Sequence, residues 1–78
     1  MYLFEDMIDL GLKDGQKFPT KSHRDVAIAL CIGNRSIKSR DDLREVVQNI
    51  IKMSKKDVEN KTYEDFLYDE RIAHFLAQ

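Results

Sequence analysis

Cysteine is nearly absent from this sequence of 78 residues, which contains only Cys31. A single thiol cannot form an internal disulfide, and this agrees with a reducing compartment. Long apolar runs are also missing, because the longest, residues 26–32, is about a third of the ~20 residues that cross a bilayer. The first six residues have neither the basic start nor the small-residue cleavage site of a secretory signal. We therefore expect a cytoplasmic protein without a membrane span.

Motifs for a reaction, a cofactor or a metal are lacking as well. The three glycines match neither the P-loop nor the dinucleotide-binding spacing. Two scattered histidines, His23 and His74, and one cysteine give no metal-ligand pattern. Cys31 lies in the most apolar run, where burial makes a thiol inert, and each histidine fits a structural or surface role at a helix end. The sequence therefore predicts a protein that is no enzyme and needs no cofactor.

Charge is unevenly distributed along the chain, although the formal net charge is only -1. Residues 1–12 contain three acids and no base, residues 13–40 contain seven bases and two acids, and residues 41–78 contain nine acids and six bases. A basic centre is therefore flanked by two acidic ends.

Apolar periodicity predicts an all-α fold of four short helices in a single domain, residues 1–78. The first helix is expected over residues 2–10, with Gly11 ending it in the left-handed conformation. The second is expected over residues 22–32, with Ser22 and Asp25 at capping-box spacing. Its run 26–32 is apolar all round and is the only strand candidate, but two alanines and the cap favour a helix.

The clearest helix is expected over residues 40–53, where an apolar stripe follows the cap pair Ser39 and Asp42. The stripe consists of Leu43, Val46, Val47, Ile50 and Ile51. Residues 54–61 are expected to be a linker, with one further turn capped by Ser54 as the alternative.

The fourth helix is expected over residues 62–76, where Thr62 and Asp65 have the spacing of a helix start. Its apolar stripe shifts near Asp69, which allows a break into two short helices at that point.

All seven aromatic residues lie outside residues 19–62. They either complete the core or leave an exposed patch that contacts a partner. Because no chemistry is encoded, we predict by elimination a small regulator or inhibitor, of the kind found in phages and mobile elements, that acts by binding a protein. The candidate contact residues are Tyr63, Glu64, Asp65, Phe66, Tyr68, Asp69 and Glu70. A homo-oligomer is a further alternative, since the core is small for the number of apolar stripes.

A basic turn over residues 33–40 suggests a different function, because the expected helices on both sides give it the outline of a helix-turn-helix. The candidate nucleic-acid contacts are Arg35, Lys38, Arg40 and Arg44 in segment 35–44, together with Gln48 one helical turn further along. Against this, Asp41, Asp42 and Glu45 would repel a DNA backbone, and the turn is longer than usual. A solvated basic loop is the competing interpretation.

Overall fold

The protein consists of short helices, and its computed structural model describes residues 5–31, 37–70 and 72–76. A 3₁₀ helix, Glu5–Gly11, is followed by the α-helices α1 (Lys21–Cys31), α2 (Arg40–Ile51), α3 (Lys55–Asn60), α4 (Tyr63–Leu67) and α5 (Ala73–Leu76). These ranges contain no strand, so the all-α prediction is confirmed. The strand alternative for residues 26–32 is wrong as far as the structure describes them, because residues 26–31 belong to α1.

Helix α2 forms the centre of the core, as its periodicity predicted. Four of the five stripe residues, Leu43, Val46, Val47 and Ile50, are each at most 1% exposed, and the fifth, Ile51, is half-buried. Its N-cap is Ser39, whose hydroxyl accepts a hydrogen bond from the backbone N–H of Asp42 at 3.1 Å. The predicted cap and stripe are therefore both confirmed, and α2 packs against the 3₁₀ helix and α1.

The first helical segment differs from its prediction in type and in the role of Gly11. The expected α-helix over residues 2–10 is a 3₁₀ helix from Glu5 to Gly11, and residues 1–4 lie outside the described part of the chain. Gly11 does not have a positive φ, so the predicted left-handed stop is wrong. A Cβ atom at this position would lie 2.5 Å from Cγ2 of the buried Val47. Gly11 therefore lets the 3₁₀ helix approach α2 closely.

The loop between the 3₁₀ helix and α1 contains the turn that the pair Asp14 and Gly15 predicted. Gly15 has a φ of 75°, and the backbone N–H of Gln16 donates to the carbonyl of Lys13 at 2.9 Å. A positive φ at the third of four residues is typical of a type II turn.

Helix α1 begins one residue earlier than its predicted cap, Ser22. Lys21 is the first helical residue, and the Thr20 hydroxyl accepts a hydrogen bond from the backbone N–H of His23 at 3.2 Å. Thr20 is therefore the capping residue. The predicted stop at residues 33 and 34 lies outside the described residues.

The region after α2 is more helical than expected. Residues 54–61, favoured as a linker, contain α3. Its N-cap is Ser54, whose side chain accepts a hydrogen bond from the backbone N–H of Asp57, and its Val58 is buried. The break allowed near Asp69 is present, since α4 ends at residue 67 and α5 begins at residue 73. At the start of α4, Thr62 and Asp65 form the reciprocal hydrogen bonds of a capping box.

Candidate functional site

His23 is buried and hydrogen-bonded on both ring nitrogens. It is 1% exposed, its Nε2 lies 2.8 Å from the carbonyl oxygen of Met53, and its Nδ1 lies 2.7 Å from the Thr20 hydroxyl. A carbonyl can only accept, so we assign the ring proton to Nε2 and let the Thr20 hydroxyl donate to Nδ1. His23 therefore holds the start of α1 against the end of α2, which agrees with the structural role expected for it.

Cys31 is also a core residue rather than a reactive thiol. It is 0% exposed, and burial raises the pKa of its thiol from 9.0 to about 12. Since the thiolate is the reactive form, the folded protein keeps this group inert. The side chain of His74 lies outside the described part of the chain. Among the described residues, no group of three or more His, Cys, Asp or Glu side chains is arranged to hold a metal ion.

The residues proposed to contact nucleic acid separate into exposed and structural ones. Lys38, Arg40 and Arg44 are exposed, whereas Arg35 lies outside the described residues. Gln48 is half-buried, and its Nε2 donates to the carbonyl of Gly11 at 3.0 Å. The same atom donates to Oε1 of Gln16 at 2.6 Å. Gln48 thus fastens α2 to the N-terminal segment, and reading a base would require it to give up these bonds.

Three of the residues proposed to contact a protein are instead engaged within the fold. Phe66 is 2% exposed. The Asp69 side chain is 6% exposed and lies 3.0 Å from Nζ of Lys61, which also lies 5.6 Å from the centre of the Phe66 ring. Asp65 is at the surface, but its carboxylate accepts a hydrogen bond from the backbone N–H of Thr62 at 2.8 Å.

The remaining proposed contact residues, Tyr63, Glu64, Tyr68 and Glu70, are exposed. Tyr68 is 87% exposed and Tyr63 is 50% exposed. Tyr63 borders a hollow of about 110 Å³ between α4 and the second half of α1. The other residues that line this surface, which we call the Tyr63 hollow, are Val26, Ala29, Leu30, Lys61 and Phe66.

A larger feature lies between the 3₁₀ helix, the following loop and the first turns of α1 and α2. It is an open groove of about 700 Å³, which we call the basic groove. Its charged lining consists of Lys13, Lys17, Lys21, Arg24 and Arg40 with the carboxylates Asp9 and Asp14. Three apolar side chains, Leu10, Leu12 and Phe18, share the lining.

The sequence contains a signal for this groove, although the contacts predicted from it are mostly other residues. The excess of bases over residues 13–40 indicates a basic surface, but the predicted nucleic-acid contacts begin only at Arg35, near the end of that segment. In the fold, Arg40 joins lysines from the first half of that segment, because α2 begins beside the loop that carries Lys13 and Lys17. Only the tertiary structure brings them together.

The groove and the hollow lie on different sides of α1. Lys21 and Arg24 border the groove, whereas Val26 and Ala29 border the hollow. With 3.6 residues per turn, these pairs fall on opposite flanks of the buried face that carries His23. One helix therefore separates two candidate binding surfaces.

None of the helices in the described ranges has the length and apolar character needed to cross a membrane. Comparison of the chain with protein-family models, with curated protein sequences and with solved structures gave no match.

Proposed function

We propose that the protein is a non-enzymatic regulator that acts by binding a protein partner through the Tyr63 hollow and the neighbouring Tyr68. The observation that carries the proposal is the exposure of these two tyrosines, 50% and 87%, in a chain whose Phe66 and Phe75 are buried. The aromatic residues between positions 63 and 75 thus divide into a buried pair and an exposed pair. Phe66 and Phe75 complete the core, and Tyr63 and Tyr68 remain at the surface.

Exposed tyrosines have the properties of interface anchors. Each presents a large ring with a hydroxyl that can donate and accept, and tyrosine loses little conformational entropy on binding. Residues of this type supply much of the binding energy at protein interfaces when they enter a pocket on the partner.

The hollow beside Tyr63 adds a concave element to this surface. Ala29 is exposed and too short to fill the space between α1 and α4, while Val26 contributes an apolar wall. Lys61 occupies the edge, but its ammonium group is paired with Asp69. A partner that inserts an apolar side chain there would meet a mainly apolar surface without separating that ion pair.

The proposal is tested by capturing the partner from the native cell extract, purifying it and measuring its affinity by calorimetry. We expect the double variant Tyr63→Ala, Tyr68→Ala to bind at least about tenfold more weakly, as is typical of anchor residues. Ala29→Arg should weaken binding similarly by blocking the hollow. Lys56→Ala, which alters an exposed side chain of α3, is the matched control and should bind as the unaltered protein does.

Circular dichroism must show that all variants keep their helical content. Unchanged affinity of the folded double variant would overturn the proposed surface. Captured material that is removed by nuclease would overturn the protein-binding function itself and favour the nucleic-acid alternative.

A further inference from the structure

The basic groove has the shape and lining of a second binding site that is separate from the Tyr63 hollow. Its volume of about 700 Å³ falls within the range of pockets that hold small ligands or peptide side chains. Four elements build it, namely the 3₁₀ helix, the loop 12–20, the first turn of α1 and the first turn of α2. Its walls are therefore fixed by the core on which these elements pack.

The charge of the lining favours an anionic occupant. Five cationic side chains face two carboxylates in the groove, and Arg24 lies 3.9 Å from one of these, Asp9. Lys13, Lys17, Lys21 and Arg40 are all exposed, so their ammonium and guanidinium groups can reach a ligand from several sides. Clustered cations of this kind attract carboxylates or phosphates and steer them into the groove.

The apolar part of the lining favours a carboxylate-bearing protein segment over a nucleic acid. Leu10 is 39% exposed, and the half-buried Leu12 and Phe18 lie in the same groove. A protein segment can place an apolar side chain against these residues and its carboxylates against the lysines. A nucleic acid could meet these residues only with the face of a base, because its charged backbone carries no aliphatic side chain.

We infer that the basic groove binds an acidic segment of a partner protein, with one apolar side chain of that segment held against Leu10, Leu12 and Phe18. Carboxylates on both sides of the anchor pair with the lysines at the edges of the groove. This site does not depend on the Tyr63 hollow, so each can be disproved without the other.

The experiment uses nuclear magnetic resonance of the full chain, labelled with ¹⁵N, and three probes. The first is a short peptide of glutamates around one leucine, the second has glycine in place of that leucine, and the third is a short oligothymidylate. Each is titrated at low salt, and the backbone amides that shift show directly where it binds.

Two protein variants supply a matched comparison of charge. Lys21→Glu removes a cation of the groove, and Lys56→Glu makes the same change on α3, outside it. Both lysines are exposed and lie in the first turn of a helix, where an acidic side chain interacts favourably with the helix dipole and should not unfold the protein.

We expect the leucine peptide to shift amides of the groove saturably, with affinity about tenfold weaker for Lys21→Glu and unchanged for Lys56→Glu. The glycine peptide should bind at least several-fold more weakly, because it lacks the anchor. Ala29→Arg, which blocks the hollow, should leave peptide binding as it is.

Four results would each overturn the inference. They are the absence of saturable shifts at millimolar peptide, equal weakening by both lysine variants, equal affinity for the leucine and glycine peptides, and tighter binding of the oligothymidylate than of the leucine peptide. Shifts confined to the Tyr63 hollow would also count against it.

Discussion

The centre of the fold, which consists of the 3₁₀ helix, α1 and α2, and the region after it, residues 54–67, differ in how many buried side chains hold each helix. The 12 residues of α2 bury Leu43, Val46, Val47 and Ile50. By contrast, α3 buries only Val58 and α4 buries only Phe66. Isolated helices of five or six residues are unstable in water, so short ones depend on caps and on the few tertiary contacts they make. The region after α2 should therefore open at a lower free-energy cost than the centre.

The Tyr63 hollow lies where these two regions meet, since α1 supplies one wall and α4 the other. The basic groove belongs instead to the segments packed around α1 and α2. The two candidate surfaces thus differ in the stability of the elements that carry them. A partner in the hollow would join the weakly packed region to the centre, whereas a ligand in the groove would contact the centre alone.

The largest effect is expected at the junction between the regions, where His23 of α1 contacts the Met53 carbonyl that follows α2. We expect His23→Ala to lower the free energy of unfolding by about 3 kcal/mol, because it leaves a cavity and removes the donor from a buried carbonyl. Urea denaturation followed by circular dichroism measures this loss.

His23→Gln is the control for that prediction, because its side-chain amide can still donate to the Met53 carbonyl. It should recover about half of the lost free energy. Surface substitutions change the free energy of unfolding by less than about 0.5 kcal/mol. A loss that small for His23→Ala would show that His23 does not hold the junction.

The next prediction compares one substitution in both regions, Val46→Ala in α2 and Val58→Ala in α3. Val46 is 0% exposed and Val58 is 3% exposed. We expect losses of about 2 to 3 kcal/mol and about 1 kcal/mol, respectively, because the short α3 can relax into the space left by the truncation and α2 cannot. The helix propensity gained from alanine is the same at both sites.

The buried thiol of Cys31 gives the measurement, since it reacts with a maleimide only when the centre opens. Labelling should accelerate by roughly 30-fold to 150-fold in Val46→Ala and about fivefold in Val58→Ala, following the losses in free energy. Equal acceleration would show that both regions are packed equally well and would remove the contrast between them.

Most features of the fold that depend on nearby residues could be predicted from the sequence, although the cap of α1 is Thr20 and not the predicted Ser22. The caps at Ser39, Ser54 and Thr62 each involve a residue three positions ahead. The stripe of α2 follows from helical spacing alone. These interactions form within one or two turns, so their pattern is visible in the chain.

Features that depend on distant residues were missed or misassigned. Gly11 ends the first helical segment as predicted, but without the expected left-handed conformation, and the lack of a Cβ there is required by the approach of Val47 of α2. Gln48 was expected to face a ligand, yet it bonds to the Gly11 carbonyl. The basic groove was missed because its cations come from the loop, α1 and α2. Nothing in the local spacing of these residues encodes their contacts.

The smallest effect is expected from the cap of α4, where Thr62 accepts a hydrogen bond from the N–H of Asp65 at 3.3 Å. Thr62→Ala should cost about 1 kcal/mol, as removal of a capping hydroxyl does. Because α4 is short, we expect this loss to appear as faster amide hydrogen exchange in residues 62–68 and to leave α2 unchanged. Thr62→Ser keeps the hydroxyl and should exchange like the unaltered protein. Faster exchange throughout α2 in Thr62→Ala would mean that α4 unfolds only together with the centre, and the two regions would then form one cooperative unit.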